Sequence, residues 1–361
     1  MRWLILLAIA TAYGQQLKTE QVHGRRAWVL ENGRIRVAVL AGGGHIAEVR
    51  LVTGSANRDV NPMRVPHYPT IEPYQYSDAA HNATYGSDPH RWLSSGYMGH
   101  LLCFPFYGPP SSEGEVAAGL GNHGEAPVVE WKKAEGDVTA GVVRLRVTAE
   151  LLKTNWRVER LFTLHPDRTE VTVEEWVENL LGFDRPVNWM QHATFGPPFV
   201  EPGKTVLRLS AVKGQAGDKV IEGKDVRERV MPATRPGGSY TALLMDAARP
   251  HQFFTLTHPS YPVTIGYVYP TAGNLWIGDW MENQRNTNLP WSGKVIARGI
   301  EFGSTPYAEG LRKSIERGSL FGVPAFRWIG AKERAKTEFT IFLTEKLVRD
   351  ARWENGRVVL D

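Results

Sequence analysis

The sequence holds a single cysteine, Cys103, in 361 residues. That excludes an intrachain disulfide framework and any zinc cluster built on paired thiolates. Set in the apolar run 101–106, Cys103 reads as an inert buried thiol. Charge of one sign is also missing: 42 Lys and Arg stand against 38 Asp and Glu, a net of +4. Arg25-Arg26 and Lys132-Lys133 are isolated pairs on a solvated surface rather than a basic stripe, so no nucleic-acid partner is expected. Past the N-terminus no stretch reaches the ~18 consecutive apolar residues of a membrane span. There is no glycine-rich phosphate loop, no Gly-x-Ser-x-Gly elbow and no His-Glu-x-x-His pair. The chain has 11 histidines, but none at tight His-x-His spacing. Neither a metal nor a cofactor is expected. Helical periodicity is scarce too, and the best helix candidate, 331–336, is too short to build on.

What is present begins with Met1-Arg2-Trp3, an apolar run at 4–10 and then Thr11-Ala12-Tyr13-Gly14. One positive charge, a short apolar core and small residues read as a secretory signal within 1–16, cleaved after Ala12 or in the next few residues. The other reading is a buried N-terminal strand or helix. The expectation is a secreted or periplasmic protein with no membrane contact once the leader is removed. Residues 17–361 are expected to form a single β-sandwich domain, since large all-β units reach this size undivided, as a monomer or dimer.

Strand signals follow one another along the chain. The runs 27–30 and 34–40 flank Glu31-Asn32-Gly33, and an Asn-Gly between alternating runs predicts a hairpin. Gly42-Gly43-Gly44 turns the chain into a strand at 46–52. Alternation is cleanest at 142–151, 156–164 and 169–177. It continues at 204–210, 240–246, 252–258, 263–269, 274–278, 295–302, 326–328 and 337–343, with a last hairpin at Glu354-Asn355-Gly356. Many short strands at this spacing predict an all-β fold, a large antiparallel sandwich. Between about 53 and 99 the pattern breaks into a long loop insertion. Its aromatics, among them Tyr68, Tyr74, Tyr76, Trp92 and Tyr97, argue against disorder and for a wall of a binding cleft.

Candidate chemistry lies with histidine and carboxylate. Gly121-Asn122-His123-Gly124-Glu125 is a polar turn whose glycines allow close backbone approach. In Asn188-Trp189-Met190-Gln191-His192-Ala193-Thr194-Phe195, His192 sits in an aromatic, amide-rich stretch, either as a hydrogen-bonded core histidine or as a catalytic one. Glu301 lies between Ile300 and Phe302, where burial without a partner would raise its carboxyl toward the range of a general base. Pairing with Arg298 is the competing reading.

Taken in order, five stretches resemble the galactose mutarotase-like (aldose 1-epimerase) superfamily. They are Gly99-His100-Leu101-Leu102-Cys103-Phe104-Pro105-Phe106-Tyr107-Gly108, Asn122-His123-Gly124-Glu125, the segment 156–179, the segment 188–195, and Gly299-Ile300-Glu301-Phe302-Gly303. The resemblance implies a β-supersandwich that binds a sugar, hexose or oligosaccharide, on its concave face. It implies His192 as general acid at the ring oxygen and Glu301 as general base at the anomeric hydroxyl. His123 and Asn188 would hold the sugar, and Asp279 or Glu282 would substitute for a family aspartate that grips hydroxyls. The chain departs from the pattern where Gly108 is followed by Pro109-Pro110 rather than an arginine, and Glu301 lacks the usual Thr-Gln after it. The alternatives are a non-catalytic carbohydrate-binding protein on the same fold, or another carbohydrate-active enzyme such as a polysaccharide lyase.

Overall fold

A computed structural model describes residues 14–361. The leader expected at 1–16 therefore lies outside the described residues, apart from its last three; Gln16 already opens a strand, Gln16–Val22.

The cleanest alternation folds as an antiparallel meander, Val142–Leu151, Trp156–Leu164 and Glu170–Asn179. Every second side chain of these strands is buried while its neighbours stay half-exposed, as a sheet with one dry face demands. The meander is part of a nine-stranded sheet. An eleven-stranded sheet lies against it, with Ile35–Leu40, Ile46–Leu51, His100–Cys103, Met190–Phe195, Ile296–Gly303, Trp276–Asn283 and Gly237–Met245 as successive neighbours. One apolar core joins the two sheets, with Trp131, Trp156, Phe162, Phe195, Phe254 and Phe302 among its members. Both predicted Asn-Gly hairpins form, Glu31 facing Arg36 and Glu354 facing Arg357. In the second, Asn355 and Gly356 both take positive φ, 51° and 74°, as a tight two-residue turn requires.

Polar pins cross the core. Arg160 donates to Glu175 Oε2 (2.6 Å), to the carbonyl of Gly44 (3.0 Å) and to Gln191 Oε1 (2.9 Å), tying both sheets together. All of Arg160 and Glu175 is out of solvent, and a buried pair of this kind persists only with its remaining hydrogen-bonding capacity filled. Gln191 Nε2 supplies part of that at Glu175 Oε1, 2.6 Å away.

Three features add to or differ from the sequence reading. Residues 331–336 are not helical: a turn there leads into the strand Arg334–Thr344, whose alternating burial overrides local helix propensity. The 53–99 insertion, expected as an ordered loop, winds in part into helices Asp78–Tyr85 and Arg91–Ser94. The strand Lys132–Thr139 was invisible in the sequence since all of its residues are exposed; an edge strand without a dry face carries no alternation.

Candidate functional site

The site rests on strand register. Met190–Phe195 pairs antiparallel with Ile296–Gly303 so that His192 is the direct partner of Glu301. Partners in register on one face have Cβ atoms ~5 Å apart, close enough for the side chains to meet. His192 Nε2 lies 2.7 Å from Glu301 Oε1, with both side chains almost fully buried. Two glycines make the room. A Cβ on Gly299 would fall 2.9 Å from His192 Cε1 and 3.0 Å from Glu301 Oε1; one on Gly278, the partner of Glu301 on the next strand, would fall 2.8 Å from Glu301 Oε2.

Burial holds the His192 imidazole down to about 3 and pushes the Glu301 carboxyl well up. Desolvation is the largest cause for both and penalises charge on either. The resting contact is therefore a neutral hydrogen bond, Glu301 donating to His192 Nε2, with one exchangeable proton for the pair. Glu301 Oε2 is buried and has no partner. At the other ring edge, His192 Nδ1 lies 2.8 Å from Thr194 Oγ1, which is 2.6 Å from the Tyr97 hydroxyl.

His123 sits in a tight His-Gly turn, at φ 67° with Gly124 at 84°. Its Nδ1 accepts the backbone N–H of Gly108 at 3.1 Å. A backbone N–H can only donate, so at neutral pH the ring hydrogen belongs on Nε2. Burial holds this imidazole neutral, well below its ordinary value. Tyr107 stacks on the ring at 5.2 Å, and the His123 and His192 rings lie 5.1 Å apart.

These groups line a cavity of ≈ 510 Å³, together with Tyr240, Trp280 and Trp291. The insertion supplies a wall through Asp88, His90, Leu93 and Tyr97. Glu282 also lines it; its Oε1 accepts the backbone N–H groups of Arg285 (2.6 Å) and Asn286 (2.9 Å), fastening the loop that carries Trp291.

Two expected binding residues lie elsewhere. Asp279 faces away from the cavity because side chains alternate along Trp276–Asn283: Gly278, Trp280 and Glu282 share one face and Asp279 takes the other. It is fully buried between Arg298 (2.9 and 3.0 Å) and Arg229 (2.6 Å). Arg298 is thereby committed to Asp279, not to Glu301. Asn188 is buried behind the cavity, where its Oδ1 accepts the backbone N–H of Tyr107 at 3.3 Å. It shapes the turn under His123 without reaching the cavity itself.

Tyr97 lines the cavity as the reading of the insertion expected, while Thr194, Tyr107, Tyr240, Trp280 and Trp291 were missed as members of the site. Thr194 could have been found, since residue i+2 of a strand shares the face of residue i. The tyrosines reach the cavity through tertiary packing and carry no local mark. Among the described residues, no three His, Cys, Asp or Glu side chains gather as metal ligands. Cys103 is buried and its thiol is pushed well up by that burial, in keeping with an inert group.

No family model and no curated protein matches the chain. Solved structures do. A candidate aldose 1-epimerase from Klebsiella pneumoniae is similar at TM-score 0.64 and 14% identity, over 91% of this chain and 83% of that one. A galactose mutarotase-like protein from Clostridium acetobutylicum gives 0.62 at 12% identity, over 92% and 99%. A candidate mutarotase from Salmonella typhimurium gives 0.60 at 11%, over 91% and 94%. The chain has the galactose mutarotase-like fold, the supersandwich expected from its sequence. At such identities the likeness speaks for the fold; the chemistry is argued from the site.

Proposed function

We propose that the protein is an aldose 1-epimerase-like mutarotase that interconverts the anomers of a free sugar. The observation that carries this reading is the 2.7 Å contact of His192 Nε2 with Glu301 Oε1 on the wall of a hexose-sized cavity. In a cyclic aldose the ring oxygen and the anomeric hydroxyl are bonded to one carbon. An acid for the first and a base for the second must therefore stand side by side, as these two do.

The cycle needs only the proton that the pair already holds. Transfer along the contact puts that proton on His192 and leaves Glu301 as carboxylate. His192 protonates the ring oxygen while Glu301 removes the anomeric hydroxyl proton; the C1–O5 bond breaks and C1=O forms. The proton count of the pair is unchanged, its proton now resting on Glu301. Rotation about C1–C2 and reclosure in the opposite sense give the other anomer and restore the pair. His123 Nε2–H donates to a sugar oxygen, Glu282 accepts from a hydroxyl, and Trp280 and Trp291 offer flat faces to ring C–H groups. On the strength of the leader we also assign the protein outside the cytoplasm, as a secreted or periplasmic enzyme.

Polarimetry of freshly dissolved α-glucose and α-galactose tests the reaction. Acceleration by the protein and its loss in Glu301→Gln support the assignment. Sugar-dependent thermal stabilisation without acceleration would move the protein to the non-catalytic binding class.

A further inference from the structure

The groups behind His192 differ from a common way of orienting a catalytic imidazole, in which a carboxylate or backbone carbonyl takes the far N–H and fixes one tautomer. Here, among the described residues, the side chains at the far nitrogen are hydroxyls. Thr194 shares the cavity face of its strand with His192, is completely buried, and places Oγ1 2.8 Å from Nδ1. The Tyr97 hydroxyl stands 2.6 Å from Thr194 Oγ1 and at the ring edge, 3.4 Å from each ring nitrogen. Tyr97 is itself held. The guanidinium of buried Arg64 lies 4.5 Å above its ring and donates to its backbone carbonyl at 2.6 Å. Among the described residues no carboxylate pairs with Arg64; its charge faces the rings of Tyr97 and Trp291.

A hydroxyl both donates and accepts. With Glu301 donating to Nε2, the neutral ring carries its hydrogen on Nδ1, which donates to Thr194, and Thr194 donates on to Tyr97. A carboxylate in the same place would stabilise the imidazolium and favour the proton on His192. We propose that Thr194 and Tyr97 are positioning residues for His192: a hydroxyl chain that accepts the Nδ1–H and so holds the ring with Nε2 on Glu301, both when the proton of the pair rests on Glu301 and when it has moved to His192. The claim rests on the mutarotase reading for its purpose, but on geometry for the chain itself.

The titratable and charged groups around the ring are Glu301 on the adjacent strand, His123 and Tyr107 on the His-Gly side, and Tyr97; Arg64, His100 and His45 act from behind. None of them changes in a Thr194 variant. The test uses Thr194→Val, which keeps the shape and removes the hydroxyl, Thr194→Ser, which restores it, and Tyr97→Phe. Ring ¹⁵N signals of His192, assigned by their disappearance in His192→Gln, report tautomer and titration without substrate. Expected are a changed Nδ1/Nε2 pattern and a shifted titration in Thr194→Val, with wild-type behaviour in Thr194→Ser. In polarimetry kcat should fall about 10- to 100-fold with KM within about threefold. Unchanged ring signals in both Thr194→Val and Tyr97→Phe overturn the chain, whatever the activity. Altered ring signals in a protein that accelerates no mutarotation would support the chain while removing the reaction assigned above.

Discussion

The two faces of the central strands bury carboxylates in opposite ways. On the inner face Asp279 meets two guanidiniums, Arg298 from the next strand and Arg229 from the opposing sheet. Burial alone would raise its carboxyl, but those charges hold it below its ordinary value. On the cavity face Glu301 meets one neutral imidazole and keeps an oxygen without a partner, so burial wins and its carboxyl is pushed well up. Asp279 is a fixed anion that pins two sheets. Glu301 is held as a carboxylic acid by its burial. Burial does not by itself mark a functional carboxylate; what decides is whether opposite charge has already saturated it.

The sharpest way to test that contrast is substitution on each face. Glu301→Gln keeps the shape and should lower mutarotation about a thousandfold without lowering thermal stability at neutral pH, since holding Glu301 protonated in the fold costs stability there. Asp279→Ala leaves two buried guanidiniums without their anion and should lower unfolding free energy by about 3–5 kcal/mol in urea titration, with the KM of the folded fraction unchanged. Loss of activity without loss of stability at Asp279 would erase the distinction between the faces.

Acid should weaken the fold through its neutral histidines. Burial holds His45 and His192 down to about 3, and His100 and His123 well below their ordinary value. Below a pH of about 6.5 the unfolded chain protonates each of them and the folded chain does not, so stability falls as pH drops, by about 1.4 kcal/mol per unit for each. Glu301 has the reverse sign. It is protonated in the fold while its unfolded counterpart is ionised above about 4.5, so it offsets one histidine. A net loss of about 3 kcal/mol between pH 7 and 5.5 is expected from denaturant titrations at the two values. In Glu301→Gln that offset is gone and the loss should steepen, whereas Asp279→Ala should leave the slope in this window unchanged. The smallest effect belongs to Gly299→Ala. Its Cβ would crowd His192 and Glu301 at 2.9 and 3.0 Å, and kcat should drop about tenfold with little change in melting temperature.

Much of this architecture was legible before any coordinates. Period-two alternation located the strands Val142–Leu151 and Trp156–Leu164 because one face is dry, and Asn-Gly located two hairpins because few residue pairs accept that turn. His123, His192 and Glu301 stood out as polar groups in apolar or glycine-flanked settings, and the structure brings all three to one cavity. Where the sequence misled, the cause was parity or distance. Asp279 lies three residues before Glu282, and in a strand an odd step crosses to the other face; nothing local announced that the strand continued to Asn283.

That the chain forms a large antiparallel sandwich could be read along its strands, since alternation and turn chemistry are local properties of the backbone. That residues 109 positions apart, His192 and Glu301, meet at 2.7 Å is a matter of tertiary structure. Register between distant strands is set by packing of the whole core and leaves no trace in either strand alone. The tertiary structure also set Arg298 on Asp279 and left Glu301 free. The sequence offered Glu301 as the partner of that guanidinium, and which face each strand turned to the core gave it to Asp279 instead.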